Sequence, residues 1–290
     1  MAAPAMPKVE GVEHRYADAN GLRMHYAEAG DPQADALLLV HGWPENWWAW
    51  RHLIGPLSER FRVIAPDLRG LGWTEPAPDG YEKSQLARDV VALMDTLGIE
   101  RARLMGHDWG AFAGWWATTE HPQRFERFMP LSIPHPWVPE GPPDPRRLLR
   151  AWYQAVLATP LLGRLAIGPV GFPGAIMRRS RLAGEWGDGE VELYEELMRR
   201  PGYTSATMQY YRTFLLREML PLARGQFTDR HLSVPTRLVT GTRDRITRDM
   251  DEGYREHTDD MEVVRVDGAG HWLPEEKPQA VLDVALGFLP

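Results

Sequence analysis

The segment GHDWG, residues 106–110, has the composition of a nucleophile held on a tight turn. It follows the apolar residues Ala102, Leu104 and Met105 and precedes AFAGWWATTE, so we expect a strand, a corner flanked by glycines and then a helix. The corner carries Asp108, and an aspartate with an ordinary pKa of about 4 is already ionised at neutral pH. A carboxylate here suits attack on a saturated carbon bearing a leaving group, which gives a covalent ester.

Cleavage of that ester by water requires a general base and a group that orients it. His271 in GAGHW follows one predicted strand, and Asp244 in TGTRD follows the strand before it. We expect His271 to deprotonate water, while Asp244 holds the imidazole tautomer and stabilises the charged ring. Each motif alone also fits an ordinary turn or a structural histidine. Their order, each at the end of a strand, favours a catalytic site.

Ester cleavage also needs donors for the tetrahedral intermediate, and VHGWPE at 40–45 ends an early apolar strand where such a loop belongs. The backbone N–H groups of Trp43 and Trp109 are the candidate oxyanion donors, because Pro44 has none. A cis bond between Trp43 and Pro44 fits so tight a turn. His41 in the same segment is better explained as a packed, hydrogen-bonded side chain.

Composition excludes several classes of protein. The 290 residues carry a net charge of −7, which does not suggest a nucleic-acid or anionic-membrane partner. The chain has no cysteine, so disulfides, thiolate metal sites and cysteine nucleophiles are excluded. The N-terminal residues lack the apolar region of a secretory signal, and the most apolar stretch, 155–177, is interrupted by Arg164, prolines and glycines. We therefore expect a cytoplasmic enzyme without a membrane partner.

The elements that must position these residues alternate between strand-like and helix-like patterns up to residue 134, which predicts a mostly parallel sheet covered by helices. Residues 134–147 hold six prolines and predict a connection, and helical patterns without strands then extend to about residue 230. Strand patterns resume at 234–244 and 261–271. We expect one α/β core, residues 1–134 and 232–290, with a helical insertion at 135–231.

Four motifs carry a resemblance to a known family: HGWPENWWAWR, PDLRGLGWTE, GHDWG and GAGHW. The sequence resembles, over nearly its whole length, the epoxide hydrolase branch of the α/β-hydrolase superfamily, to which haloalkane dehalogenases are related. The resemblance implies an α/β-hydrolase fold, an eight-stranded, mostly parallel sheet with a helical cap inserted between strands 6 and 7. It also implies the chain order of nucleophile, acid and histidine, and chemistry without a cofactor.

Epoxide opening releases an alkoxide, which needs an acidic hydrogen-bond donor, and the resemblance implies two cap tyrosines in this role. Tyr211 in QYYR matches the family's Tyr-Arg position, and Tyr153 in AWYQ matches the first site more loosely. The indole N–H of the neighbouring Trp152 is an alternative to Tyr153. Helix packing remains an alternative role for both tyrosines.

Three other activities stay open. A haloalkane dehalogenase also uses an aspartate, and Trp109 would then bind halide, but that family typically has Asn where this chain has Trp43. The apolar AFAGWW after the nucleophile argues against a small anionic substrate. A non-catalytic ligand-binding homologue and a carboxylesterase are less favoured, because the triad is complete and position 108 is not serine.

Twelve tryptophans favour an apolar or aromatic substrate. We expect four of them to line the substrate pocket: Trp43, Trp109, Trp152 and Trp186. The predicted reaction converts an epoxide and water to a vicinal diol, with a homodimer as a possible assembly.

Overall fold

The computed structural model describes residues 4–137, 152–182, 186–247 and 253–290. Eight strands form one sheet in the order β1-β2-β4-β3-β5-β6-β7-β8. Strand β2 runs antiparallel to both its neighbours, and from β4 onward each pair is parallel. The predicted eight-stranded, mostly parallel sheet is therefore confirmed. The strands are β1 Glu13–Ala19, β2 Leu22–Ala29, β3 Ala36–Val40, β4 Arg62–Pro66, β5 Ala102–His107, β6 Phe125–Leu131, β7 Thr236–Gly241 and β8 Met261–Val266.

Apolar side chains alternate between the two faces of the central strands and form a separate core on each face. Leu38 and Leu104 belong to one cluster, whereas Leu37, Leu39 and Met105 belong to the other. Both faces are covered by helices, which explains why β3 is a continuous apolar run instead of an alternating pattern. The helices of the core are α1 Arg51–Ser58, α2 Lys83–Thr96, α3 Trp109–Glu120, and later α10 Leu273–Glu276 and α11 Pro278–Phe288.

The chain between β6 and β7 contains helices and no strand in its described residues, as the sequence predicts. These helices are α4 Trp152–Ala158, α5 Pro160–Ile167, α6 Phe172–Ser180, α7 Asp188–Met198, α8 Tyr203–Thr213 and α9 Met219–Ala223, with a π-helical turn at Phe214–Glu218. Residues 138–151, which include most of the proline-rich connection, lie outside the described ranges. The division into core and cap at residues 134/135 and 231/232 stays a prediction.

Helices α5 and α6 lie within the region that the sequence predicts as helical, although both contain proline and glycine. In each helix the proline lies in the first turn, where its missing N–H has no helical acceptor to lose. Within the described part of the chain, no single helix is long and apolar enough to cross a membrane; α5 and α6 together meet that test only as a pair bent by 64°.

Candidate active site

Asp108 sits at the sharp turn between β5 and α3, with a backbone φ of +49°. A positive φ is unfavourable for a residue with a side chain and costs of order 1–3 kcal/mol, so the surrounding structure must enforce it. The Asp108 N–H donates to the carbonyl of Leu131 at 3.2 Å, and its carbonyl accepts from the N–H of Phe112 at 2.9 Å. These bonds tie the turn to both β6 and α3. The predicted strand, corner and helix are all present.

The glycines around Asp108 are required by close packing. A Cβ on Gly110 would lie 2.3 Å from the carbonyl oxygens of Val40 and His41, and one on Gly42 would lie 2.4 Å from the Asp108 Cβ. The turn therefore fits against the end of β3 only without side chains at these two positions. Both glycines lie where the loop after β3 packs against the turn, and this packing brings the loop against the Asp108 carboxylate.

His271 lies between the two carboxylates that the sequence assigned to it. Its Nε2 is 3.6 Å from Asp108 Oδ2, and its Nδ1 is 3.4 Å from Asp244 Oδ2. Asp244 itself is held by the N–H of Ile246 at 2.8 Å and the hydroxyl of Thr247 at 2.9 Å. The three side chains, which are distant in the sequence, thus form a chain of contacts in which the His271 imidazole lies between the two carboxylates.

Burial and mutual charge act in opposite directions on these groups. Burial alone raises the pKa of Asp108, but contact with His271 and the Trp43 N–H outweighs it and the pKa lies below its ordinary value. The pKa of Asp244 is lowered in the same way, chiefly by His271 against the effect of burial. Burial lowers the pKa of His271, yet Asp244 and Asp108 together hold it well above its ordinary value. The unreacted site therefore keeps Asp108 ionised.

The Trp43 N–H donates to Asp108 Oδ1 at 2.9 Å, so one of the two predicted oxyanion donors already contacts the carboxylate. Trp109 is the first residue of α3, and the N–H groups of the first helical turn have no acceptor within the helix. The peptide bond between Trp43 and Pro44 is cis, as the sequence suggested.

Tyr211 reaches over this site from α8. Its ring centroid is 4.8 Å from that of Trp43, 5.9 Å from that of Trp109 and 5.7 Å from that of Tyr153. Burial raises the pKa of Tyr211 well above its ordinary value, and the charge of Asp108 acts in the same direction. Burial likewise raises the pKa of Tyr153 to about 12. Both phenols are therefore protonated donors at neutral pH.

Two of the predicted pocket tryptophans are not brought to Asp108. Trp152 is 56 % exposed and packs on Phe172. Tyr153 occupies the side of α4 that faces Tyr211, and the Trp152 side chain leaves the helix on a different side. This position does not support Trp152 as a ring-opening donor or as a pocket residue. Trp186 contacts Trp272, which in turn contacts His271, so Trp186 packs one ring away from His271.

A buried pair that the sequence analysis missed, His107 and Glu45, holds the backbone of His271. His107 Nδ1 is 2.7 Å from a Glu45 carboxylate oxygen, and its Nε2 is 2.8 Å from the backbone carbonyl of His271. Because both partners are acceptors, the ring satisfies them together only as an imidazolium. Burial lowers the pKa of His107, but Glu45 outweighs it and the pKa is raised. The sequence signal for this pair was one ionisable residue in each of two motifs, Glu45 in HGWPE and His107 in GHDWG.

The described ranges contain no group of three or more histidine, aspartate or glutamate side chains that could hold a metal ion.

Comparison with known proteins agrees with this geometry. Residues 35–278 match the family model described as alpha/beta hydrolase fold. The chain is 30 % identical to a soluble epoxide hydrolase of Corynebacterium sp. (strain C12), covering 96 % of this chain and 97 % of the relative. It is also 30 % identical to epoxide hydrolase A of Mycobacterium tuberculosis, covering 95 % and 96 % of the two chains.

Among solved structures, epoxide hydrolase VrEH1 of Vigna radiata is 29 % identical, with a TM-score of 0.84 over 98 % of this chain and 99 % of that one. These similarities confirm the α/β-hydrolase fold predicted from the sequence. The chain belongs to the α/β-hydrolase superfamily and, within it, to the epoxide hydrolase branch.

Proposed function

We propose that this protein hydrolyses an epoxide to a vicinal diol through a covalent ester on Asp108. The observation that carries the proposal is a single imidazole, His271, between an ionised carboxylate on a strained turn and a second, hydrogen-bonded carboxylate. A serine in place of Asp108 would favour acyl transfer, whereas a carboxylate suits substitution at carbon. The similarity to named epoxide hydrolases supports the choice of substrate.

In the first step, Asp108 attacks one ring carbon, the bond between that carbon and oxygen breaks, and the oxygen leaves with the electron pair. Tyr211 and Tyr153 donate hydrogen bonds to that oxygen, which takes a proton from one of the two phenols to become a hydroxyl group; the phenolate is then reprotonated from solvent. Phenols with a pKa as high as theirs stay protonated at rest and donate when negative charge develops.

In the second step, His271 removes a proton from water, and the resulting hydroxide attacks the ester carbonyl. Alkylation neutralises Asp108 and so removes one of the two charges that raise the pKa of His271. The imidazolium therefore releases its resting proton to solvent after alkylation, and the neutral ring then accepts the proton of the attacking water. The N–H of Trp43, which already contacts Asp108 Oδ1, stabilises the tetrahedral intermediate together with that of Trp109.

A His271→Gln variant tests this sequence of steps. We expect it to open the ring and then stop, so that intact-protein mass spectrometry shows one substrate mass added and peptide mapping places it on Asp108. The Asp108→Asn variant is the control and should stay unmodified. Turnover by His271→Gln without any adduct would rule out the covalent route.

We propose an apolar or aromatic epoxide as the substrate. Four aromatic rings form a continuous chain of contacts beside the nucleophile, in the order Trp43, Tyr211, Trp109 and Phe214. Such a wall favours flat apolar groups over charged ones. Measured kcat/KM for styrene oxide should therefore exceed that for a small polar epoxide such as glycidol, and the reverse order would contradict the assignment.

Haloalkane dehalogenation is a second candidate, supported by one observation. The buried indole N–H groups of Trp43 and Trp109 form no hydrogen bond of normal geometry with the described residues, so both are candidate donors to a leaving group. The Trp109 N–H also lies near the Tyr211 hydroxyl, where it acts to lower the pKa of that phenol against the effect of burial. Release of bromide from brominated alkanes, compared with diol formation from the matching epoxides, separates the two activities.

A further inference from the structure

A buried ion pair, Lys83 with Glu218, lies behind the candidate site and joins the core to the helical region. Lys83 opens α2, is fully buried and places its ammonium 2.8 Å from the Glu218 carboxylate. The other Glu218 oxygen accepts the Lys83 backbone N–H at 2.7 Å. Burying a charged pair rarely adds stability over an apolar pair of similar size, so its presence beside the site calls for another role.

The ammonium contacts the backbone that carries Tyr211. Lys83 Nζ donates to the carbonyl of Tyr210 at 2.8 Å, and that carbonyl belongs to the peptide unit that continues into Tyr211. Glu218 ends the π-helical turn Phe214–Glu218, which begins three residues after Tyr211. Such turns occur frequently at functional sites, where they set the direction of side chains. The pair thus fixes the helix on both sides of the point where Tyr211 leaves it.

The same ammonium also lies on the ring of Trp109. The distance from Lys83 Nζ to the Trp109 ring centroid is 4.4 Å, within the range of a cation–π contact. Trp109 follows the nucleophile, packs against Tyr211 and supplies a candidate oxyanion donor. The positive charge therefore contacts the residue that follows Asp108 and packs against Tyr211.

We propose that the buried pair of Lys83 and Glu218 positions Tyr211 and Trp109 for ring opening. Lys83 acts through these two residues and is a positioning residue for the first step. In the second step Trp109 acts through its backbone N–H at the start of α3, whereas Lys83 contacts its indole ring. His271 and Asp244, the other groups of that step, make no described contact with Lys83, so hydrolysis should depend little on the pair. The proposal rests on the alkyl-enzyme route, since it assigns the pair to one half of that route.

The test measures the two steps separately with styrene oxide. Rapid quenching followed by mass spectrometry gives the rate of Asp108 adduct formation, and its decay gives the hydrolysis rate. The double variant Lys83→Met/Glu218→Gln removes both charges and leaves the amide oxygen to accept the backbone N–H of α2. We expect adduct formation to slow about 10- to 100-fold, with hydrolysis changed less than about threefold.

Arg200→Met is the matched control. Arg200 is a buried cation that donates from the helical region to the carbonyl of Gly72 in the core, and it does not contact Tyr211 or Trp109 in any described interaction. Both rates should stay near those of the original protein. Equal slowing of both steps in the double variant, or no slowing, would overturn the proposal. Absence of any Asp108 adduct in the unmodified protein would instead refute the covalent route.

Glu218→Gln alone decides the question if the double variant does not fold. Burial lowers the pKa of Lys83, and Glu218 is the main group that raises it; Asp108 and Glu82 contribute less. The variant should therefore lose the ammonium at a lower pH than the original protein does. Adduct formation should slow over that pH range relative to the original protein, and a pH profile unchanged from the original would overturn the proposal.

Discussion

Substitution of Gly110 by alanine should displace the nucleophile by a distance that the structure allows to be worked out. The new Cβ would lie 2.3 Å from the carbonyl oxygens of Val40 and His41, whereas real Cβ contacts are essentially never shorter than 3.0 Å and seldom shorter than 3.4 Å. The start of α3 must therefore retreat from β3 by about 0.7–1.1 Å. That movement would lengthen the 2.9 Å hydrogen bond from the Trp43 N–H to Asp108 beyond normal range.

A misplacement of about 1 Å at a reacting group costs about 100-fold in rate, so kcat/KM of Gly110→Ala should fall by about that factor. Overpacking should also lower the free energy of unfolding by about 1–3 kcal/mol, measured by urea denaturation. Gly287→Ala is the control, because a Cβ there meets nothing within 4 Å and the residue lies in the helix α11. Activity of Gly110→Ala within twofold of the original would refute the packing argument.

Three further predictions concern the charges and donors of the site. Asp244→Asn should lower the rate of ester hydrolysis about 10⁴-fold. Because Asp244 raises the pKa of His271, the substitution should also move the acidic limb of the pH profile for hydrolysis to lower pH. An unmoved limb would contradict the pairing of Asp244 with His271. Tyr211→Phe should slow adduct formation about 10- to 100-fold without slowing adduct decay, and slower decay would argue against its role in ring opening. Burial raises the pKa of Glu275 to about 7, so its ionisation opposes folding as the pH rises from about 4.5 through 7. The Tyr194 hydroxyl donates to Glu275 at 2.6 Å and favours the ionised carboxylate. Tyr194→Phe should therefore lose about 1.5–3 kcal/mol of unfolding free energy at pH 8, where Glu275 is ionised, and less at pH 5. An equal loss at both pH values would contradict the assignment.

The sheet was predictable because its strands are buried on both faces and read as short apolar runs between helical patterns. The meeting of the candidate catalytic residues was predictable for a related reason. Parallel strands end at one edge of the sheet, so residues that follow β5, β7 and β8 meet there although they are far apart in the sequence. Asp108, Asp244 and His271 are such residues, and the structure brings them together.

Residues that act across the contact between core and helices were harder to predict. Trp152 and Tyr153 are neighbours on α4, and adjacent residues of a helix point in different directions. Here Trp152 points to solvent and Tyr153 towards Tyr211. Local sequence does not fix that rotation, because it depends on how the helix packs against the core. Lys83 is the same kind of case: its position at the start of α2 suggests an exposed cation, and only its contact with Glu218 explains its burial.

The central claim is that the new oxygen of the diol comes first from Asp108 and not from solvent. A single turnover in water enriched in oxygen-18, with enzyme in excess over styrene oxide, measures this directly. The covalent route predicts an unlabelled diol in that first turnover and one oxygen-18 atom in the peptide that contains Asp108. A labelled diol with an unlabelled Asp108 would show that water attacks the ring itself, and would contradict the account.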